Sequence, residues 1–103
     1  MIIPKILDWD KPYNEIVIPK GMRLIKLWEL FKLLDSKYSD KFLGNYKGKW
    51  NYFWCEQTKY AKLNNRSSGL CLVRGLDLYS GDVSLAYSDD CGRVVFVKKG
   101  WKI

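Results

Sequence analysis

The chain of 103 residues is predicted to fold as one α+β domain. Three observations predict this. Apolar residues recur at helical spacing over 24–38. The run Trp50-Asn51-Tyr52-Phe53-Trp54-Cys55 is aromatic-dense and strand-like. From Leu70 onward the apolar pattern has a period of two, interrupted by turn signals. With 48% apolar and 16% aromatic residues, a chain of this length can bury a core without metal or disulfide staples.

Residues 1–18 read as short extended pieces punctuated by Pro4 and Pro12, with Ile16-Val17-Ile18 a strand that Pro19 stops. Pro19-Lys20-Gly21 is a turn. The helix follows, over about 24–38. Leu24, Leu27, Trp28, Phe31, Leu34 and Tyr38 form one apolar stripe at helical intervals, with Lys26, Glu29, Lys32 and Asp35 off it. The stripe should pack on the sheet. Trp28 and Phe31 are then core, and Trp28→Ala should cost about 3–5 kcal/mol. Glu29, three residues from both Lys26 and Lys32, should belong to an exposed face.

Asp40 to Lys49 reads as a loop with Gly44 and Gly48, and Thr58 to Gly69 as polar and irregular. Leu70 to Tyr79 alternates as one strand. Ser80-Gly81-Asp82 is a tight hairpin turn, and Val83 to Tyr87 is the return strand with Val83, Leu85 and Tyr87 on one face. Ser88 to Gly92 is a second turn. Arg93 to Val97 is apolar on both faces and belongs in the sheet centre. The helix is expected to pack on an antiparallel sheet.

Net charge is +7, which permits nucleic-acid or acidic partners. The distribution argues against nucleic acid. The 14 Lys are scattered from Lys5 to Lys102 with one adjacent pair, Lys98-Lys99, and Arg23, Arg66, Arg74 and Arg93 form no run. There is no His, so His general-base catalysis is excluded. Cys55, Cys71 and Cys91 have neither zinc-site nor CxxC spacing. They are expected to be free thiols in apolar surroundings, with no redox pair. Asp82, Asp89 and Asp90 are too few and too clustered for a calcium cage, and Asp89-Asp90 reads as part of a turn. No catalytic residue, metal or cofactor is expected. No run reaches transmembrane length, and Met1-Ile2-Ile3-Pro4-Lys5 lacks the basic lead and long apolar core of a secretory signal.

One compositional feature stands apart. Residues 63–97 contain no Lys, Glu, Gln, Trp or Met, while the other 68 residues contain 25 of them. At the chain-wide rate, a 35-residue window should hold about eight. These five are also the residues that no codon ending in C or T encodes. A segment randomised at the first two codon positions, with a fixed pyrimidine third, would have this composition. The alternative is a polar β-meander in which Lys is disfavoured by strand propensity.

Pro19-Lys20-Gly21-Met22-Arg23-Leu24, running into a helix with Glu29, resembles the turn-to-helix signature PxGWRLPTxxEW of bacterial and phage domains of the C-type lectin fold. Formylglycine-generating-enzyme-like domains are among them. Met22 stands for the usual Trp, and Ile25-Lys26 for the usual Pro-Thr. Such domains continue with an aromatic strand, here Trp50 to Trp54, and a GDV-like hairpin, here Tyr79 to Val83. A closing strand ends them, here Gly92 to Lys98. The frame spans about 80 residues.

The resemblance implies a single C-type lectin-like domain over 1–103, with 1–62 as scaffold and 63–97 as a variable β region. Joined to the composition of 63–97, it resembles the variable proteins of diversity-generating retroelements, of the archaeal type. It implies a monomeric, non-enzymatic protein that recognises a protein or surface ligand, suited to a cell or virion surface. The expected interchangeable positions are Arg74, Leu76, Leu78, Ser84, Ala86, Tyr87, Ser88, Asp89, Asp90 and Cys91. An exposed Arg74-Leu76-Leu78 row is expected because burial would leave the Arg74 charge unpaired. Leu63, Val73, Val94, Phe96 and the Trp50–Trp54 strand are expected to be scaffold. The alternatives are a small basic viral or archaeal domain binding nucleic acid or protein, a formylglycine-type enzyme, which lacks its Cys arrangement here, and a calcium-dependent sugar binder, which lacks its Glu-Pro-Asn and Trp-Asn-Asp ligands.

Overall fold

The computed structural model describes the backbone of residues 1–73, 77–81 and 83–103, and the side chains of all but 73–82. Among the described residues there are six strands: β1 (Ile6–Asp8), β2 (Met22–Leu24), β3 (Asn51–Cys55), β4 (Ser68–Val73), β5 (Asp77–Gly81) and β6 (Gly92–Lys98). Three α-helices accompany them: α1 (Leu27–Leu34), α2 (Ser39–Leu43) and α3 (Lys59–Leu63). This is an α+β domain. Its main sheet runs β1-β6-β3-β4-β5, and β2 pairs with the far half of β6.

β6 is central, as its doubly apolar pattern requires. Val95 and Val97 enter one cluster with Phe53, Cys55, Leu70 and Leu72, under Leu30 and Leu33 of α1 and Phe42 and Leu43 of α2. Val94 enters the other with Leu24 and Trp54, and Phe96 packs partly buried on it beside Trp9, Tyr13 and Ile16. Helices therefore cover one face of the sheet, and the segment around 9–16 covers part of the other. Gly92 opens β6 because a Cβ there would strike the Trp9 carbonyl, whose own N–H donates to the Gly92 oxygen at 2.8 Å.

The sheet is mixed, which corrects the antiparallel expectation. β3 and β6 run parallel, with Trp54 opposite Val94. Local pattern cannot show this: the chain between β3 and β6 passes through two further strands and is long enough to return in the same direction.

The turn at 19–21 is present, with the Met22 N–H donating to the Pro19 oxygen at 3.0 Å and Gly21 at φ 78°, where a side chain is disfavoured. Ile16–Ile18 is not a strand, and the only 3-10 turn nearby is Tyr13–Glu15. Residues 40–49 are not simply a loop, since α2 and a 3-10 turn at Gly44–Tyr46 occupy most of them. Within 58–69 lies α3, started by Thr58, whose hydroxyl accepts the Ala61 N–H at 3.1 Å.

The helix is shorter than expected and buries a different face. Leu24 is in β2, and α1 ends at Leu34. Leu30 and Leu33 are fully buried, whereas Trp28 and Phe31 are 59% and 37% exposed. Six of the eight residues of α1 are apolar, so two stripes compete, and the sheet takes the one through Leu30 and Leu33. Glu29, expected in solvent, is buried.

Leu70 to Tyr79 is not one strand. β4 ends at Val73 and β5 begins antiparallel to it at Asp77, with residues 74–76 outside those described. Ser80 and Gly81 lie opposite Leu70 and Gly69 in that ladder, so they are strand and not the expected hairpin turn, and Asp82 lies outside the described residues. Nor is 83–87 a return strand. The Tyr87 N–H donates to the Ser84 oxygen at 3.0 Å and the Ala86 N–H to the Ser84 hydroxyl at 3.3 Å. These local bonds draw the chain into a turn, a competition serine commonly wins against extended structure.

Leu30→Ala should therefore destabilise the domain by about 2–5 kcal/mol, and Trp28→Ala by less than about 1 kcal/mol. Urea unfolding of the two variants checks this, and the reverse order would restore the Trp28 stripe as core.

Candidate binding surface

β3 alternates its side chains across the sheet, so Tyr52 and Trp54 share the face opposite the helices. Their rings lie 4.7 Å apart, and Tyr87 meets both at 5.9 Å. Tyr13 meets the Trp54 edge at 6.3 Å. Position 69 must be glycine for this cluster to form, because a Cβ there would sit 2.5 Å from Tyr52 Cε1. Trp54 is fully buried, and its indole N–H has no hydrogen-bond partner among the described residues. Edge-on packing against Tyr13 and Tyr87 surrounds it with aromatic rings instead.

On this aromatic base stands the segment 83–91. Backbone contacts hold it at several points. The Ser67 N–H and hydroxyl both donate to the Val83 oxygen, at 2.9 and 3.0 Å. Ser84 bridges Arg66. The Asn14 N–H donates to the Leu85 oxygen at 3.2 Å, and the Tyr52 N–H to the Cys91 oxygen at 2.9 Å. The turn at 88–92 is present as expected and is organised by Asp89. Its carboxylate accepts the Cys91 N–H at 2.8 Å and the Tyr87 hydroxyl at 2.8 Å, and its carbonyl accepts the Gly92 N–H at 2.9 Å.

Seven of the ten expected positions fall on this one segment. Ser84, Ala86, Tyr87, Ser88 and Asp90 are exposed, and Asp89 and Cys91 are half-buried. Arg74 and Leu76 lie outside the described residues. For Leu78 only the backbone is described, opposite Leu72 in register. Of the residues expected to be scaffold, Val94 is buried and Phe96 partly buried, but Trp50 is 54% and Leu63 77% exposed. Leu63 ends α3, and the Arg66–Ser84 bridge joins the chain just beyond it to the loop. Residues 63–66 therefore border 83–86 and extend the same surface.

Beside Asp90 lies a polar cleft of about 470 Å³ between Asp8, Tyr46, Lys49 and Arg93. Arg93 is nearly buried there. Its Nε donates to Asn51 at 3.0 Å and its Nη1 to the Gly92 oxygen at 3.0 Å. Its guanidinium lies 4.6 Å from the Tyr46 ring centroid, and its Nη1 stands 3.5 Å from Asp8. The Tyr46 hydroxyl donates to Asp8 at 2.7 Å, which raises that phenol above its ordinary pKa. A lone Arg in a Val-rich strand was the available sequence signal for this arrangement, and the apolar pattern of β6 masked it. Arg93 is positioned as a structural hub for the loop root.

All three cysteines are unpaired, with Cys55 and Cys71 buried and Cys91 half-buried. Burial pushes the Cys55 thiol far above its ordinary pKa, which suppresses thiolate chemistry there. Among the described residues no three His, Cys, Asp or Glu side chains come together as metal ligands, and no helix is long and apolar enough to cross a membrane. No protein-family model, curated protein or solved structure matches the chain.

Asp89 and Asp90 should separate in a stability measurement. Asp89→Ala breaks the turn and should cost about 1–3 kcal/mol, whereas Asp90→Ala should stay within about 0.5 kcal/mol of the parent. Equal effects would show that the turn does not hold the loop.

Proposed function

We propose that the chain is a ligand-recognition domain: a C-type lectin-like scaffold displaying a replaceable surface whose codons a diversity-generating retroelement rewrites. One observation carries the reading. Among the described residues, 36 exposed positions lie outside 63–97, and 18 of them are Lys, Glu, Trp or Met, including all 14 Lys. Nine exposed positions lie inside 63–97, namely 63–66, 84, 86–88 and 90, and none is Lys, Glu, Gln, Trp or Met. At one in two, nine positions would hold four or five.

Burial does not account for the gap, because only exposed residues are compared. Strand propensity does not either. The nine positions sit at a helix end, in turns and in loop, with only the isolated Arg66–Ser84 bridge extended. A restriction on codons accounts for it directly. The residues permitted are those of adaptable binding loops, with Tyr for rigid contact area and Ser, Asn and Asp for hydrogen bonding.

The frame of the resemblance adds support. The Pro19–Gly21 turn leads into α1 through Arg23 and Glu29, the aromatic strand is β3, and the closing strand is β6. The proposed ligand is a protein or surface epitope, chosen by loop composition and not by the scaffold.

The test replaces Ser84, Ala86, Ser88 and Asp90 together with mixtures of residues encoded by pyrimidine-ending codons. Members should keep a melting temperature within about 5 °C of the parent, since exposed substitutions cost little. A displayed library should yield binders to an arbitrary folded target. General unfolding of the library, or binders arising no more often than from an equal library at Lys32, Lys37, Lys41 and Lys47, would count against the reading.

A further inference from the structure

An apolar cavity lies remote from the loop at 83–91. It measures about 680 Å³ and follows the far half of β6, between residues 2–5, Met22 and Trp101. Ile2, Ile3, Met22, Phe96 and Trp101 give it aliphatic and aromatic walls. The Trp101 indole N–H donates to the Ile2 oxygen at 2.8 Å, which joins the N-terminal and C-terminal walls of the groove. Its volume and apolar lining are those of small-molecule sites, which add a few polar groups to orient the ligand.

Here those groups share one sign. Lys5, Lys98 and Lys99 line the groove, and no Asp or Glu does. All three lysines are exposed, and no ion pair among the described residues engages them. An apolar trough edged by three free ammonium groups complements a molecule with an aliphatic tail and an anionic head. A cationic head would meet repulsion, and a fully polar anion would leave the trough unfilled.

We propose that this groove binds a free single-chain anionic amphiphile of the fatty-acid class, with the tail along Met22, Phe96 and Trp101 and the carboxylate at Lys5, Lys98 and Lys99. The proposal is independent of the loop and of any retroelement. Burial of the tail should strengthen binding about fourfold per methylene, and head-group attraction should weaken as salt screens it.

Isothermal titration of the full chain with octanoate, decanoate and dodecanoate, below their micelle concentrations, tests this. Dodecanoate should bind one to one and at least tenfold more tightly than octanoate, and dodecyltrimethylammonium should bind at least tenfold more weakly than dodecanoate. The triple variant Lys5→Glu, Lys98→Glu, Lys99→Glu should lose at least tenfold in dodecanoate affinity with an unchanged melting temperature. Met22→Glu, placing a charge against the tail, should lose a similar factor. Equal binding of the cationic amphiphile, no dependence on chain length, or full affinity in the triple variant would overturn the proposal. So would the absence of dodecanoate binding in a chain that sediments with phosphatidylglycerol vesicles or captures an acidic amphipathic peptide.

Discussion

The scaffold depends on one ion pair, between the buried Glu29 carboxylate and the partly exposed Arg23. Arg23 Nη1 and Nη2 meet the two Glu29 carboxylate oxygens at 2.7 and 3.0 Å, in the fork-to-fork geometry that Arg alone offers. Glu29 also accepts the Lys26 N–H at 2.9 Å, which caps the start of α1 in place of a capping side chain at Lys26. Arg23 donates onward to the Trp101 oxygen at 3.3 Å. One pair thus fixes β2, the first turn of α1 and the C-terminal segment against each other. Burial alone would raise the Glu29 carboxyl, but the bonds from Arg23 and Lys26 outweigh it and hold its pKa below the ordinary value. Its contribution is therefore complete above the ordinary carboxylate range and is lost as pH falls through the lowered pKa. Loss of Arg23 would strand the buried Glu29 carboxylate, at a cost of about 3 kcal/mol, whereas loss of Glu29 leaves Arg23 partly solvated and bonded to the Leu24 and Trp101 oxygens.

Under the proposed function, that constraint would leave one part of the surface free to change. β6 is held on one edge by β1 and on the other by β3 and then β2, so the sheet centre is secured without help from 83–91. The loop is anchored by backbone groups at Val83, Leu85 and Cys91, which any side chain leaves intact. Val83, packed on the cluster of Leu24, Trp54 and Val94, Tyr87, through the aromatic cluster, and Asp89, through the turn, tie side chains to the scaffold. In the proposed recognition domain, a surface built this way would separate stability from ligand choice.

Legibility followed locality. The Pro19–Gly21 turn, β3, β6 and the turn at 88–92 were readable because each is set by its own residues. Glu29 was misread because three-residue spacing to two lysines describes a surface helix equally well, and its partner Arg23 lies in a separate element. The helix face was misread because Trp28 and Phe31 make a second apolar row, and only the sheet decides between rows. Thr58 carried a capping signal for α3 that a polar composition obscured. The parallel pairing of β3 with β6 depends on partners far along the chain. The compositional gap over 63–97 was visible, but its force was not. Exposure had to be known before burial and strand propensity could be set aside.

The separation of a fixed scaffold from a rewritten surface is tested most directly at the level of DNA. Sequencing the source genome around the coding region should find a near-identical copy of the segment encoding about 63–97, beside a reverse-transcriptase gene. The two copies should differ only where the template carries adenine. Those differences should fall in codons for exposed positions such as 84, 86, 88 and 90, and spare those for Leu70, Leu72, Val94 and Val95. A single-copy segment with no such neighbour, or differences spread evenly over buried and exposed codons, would contradict it.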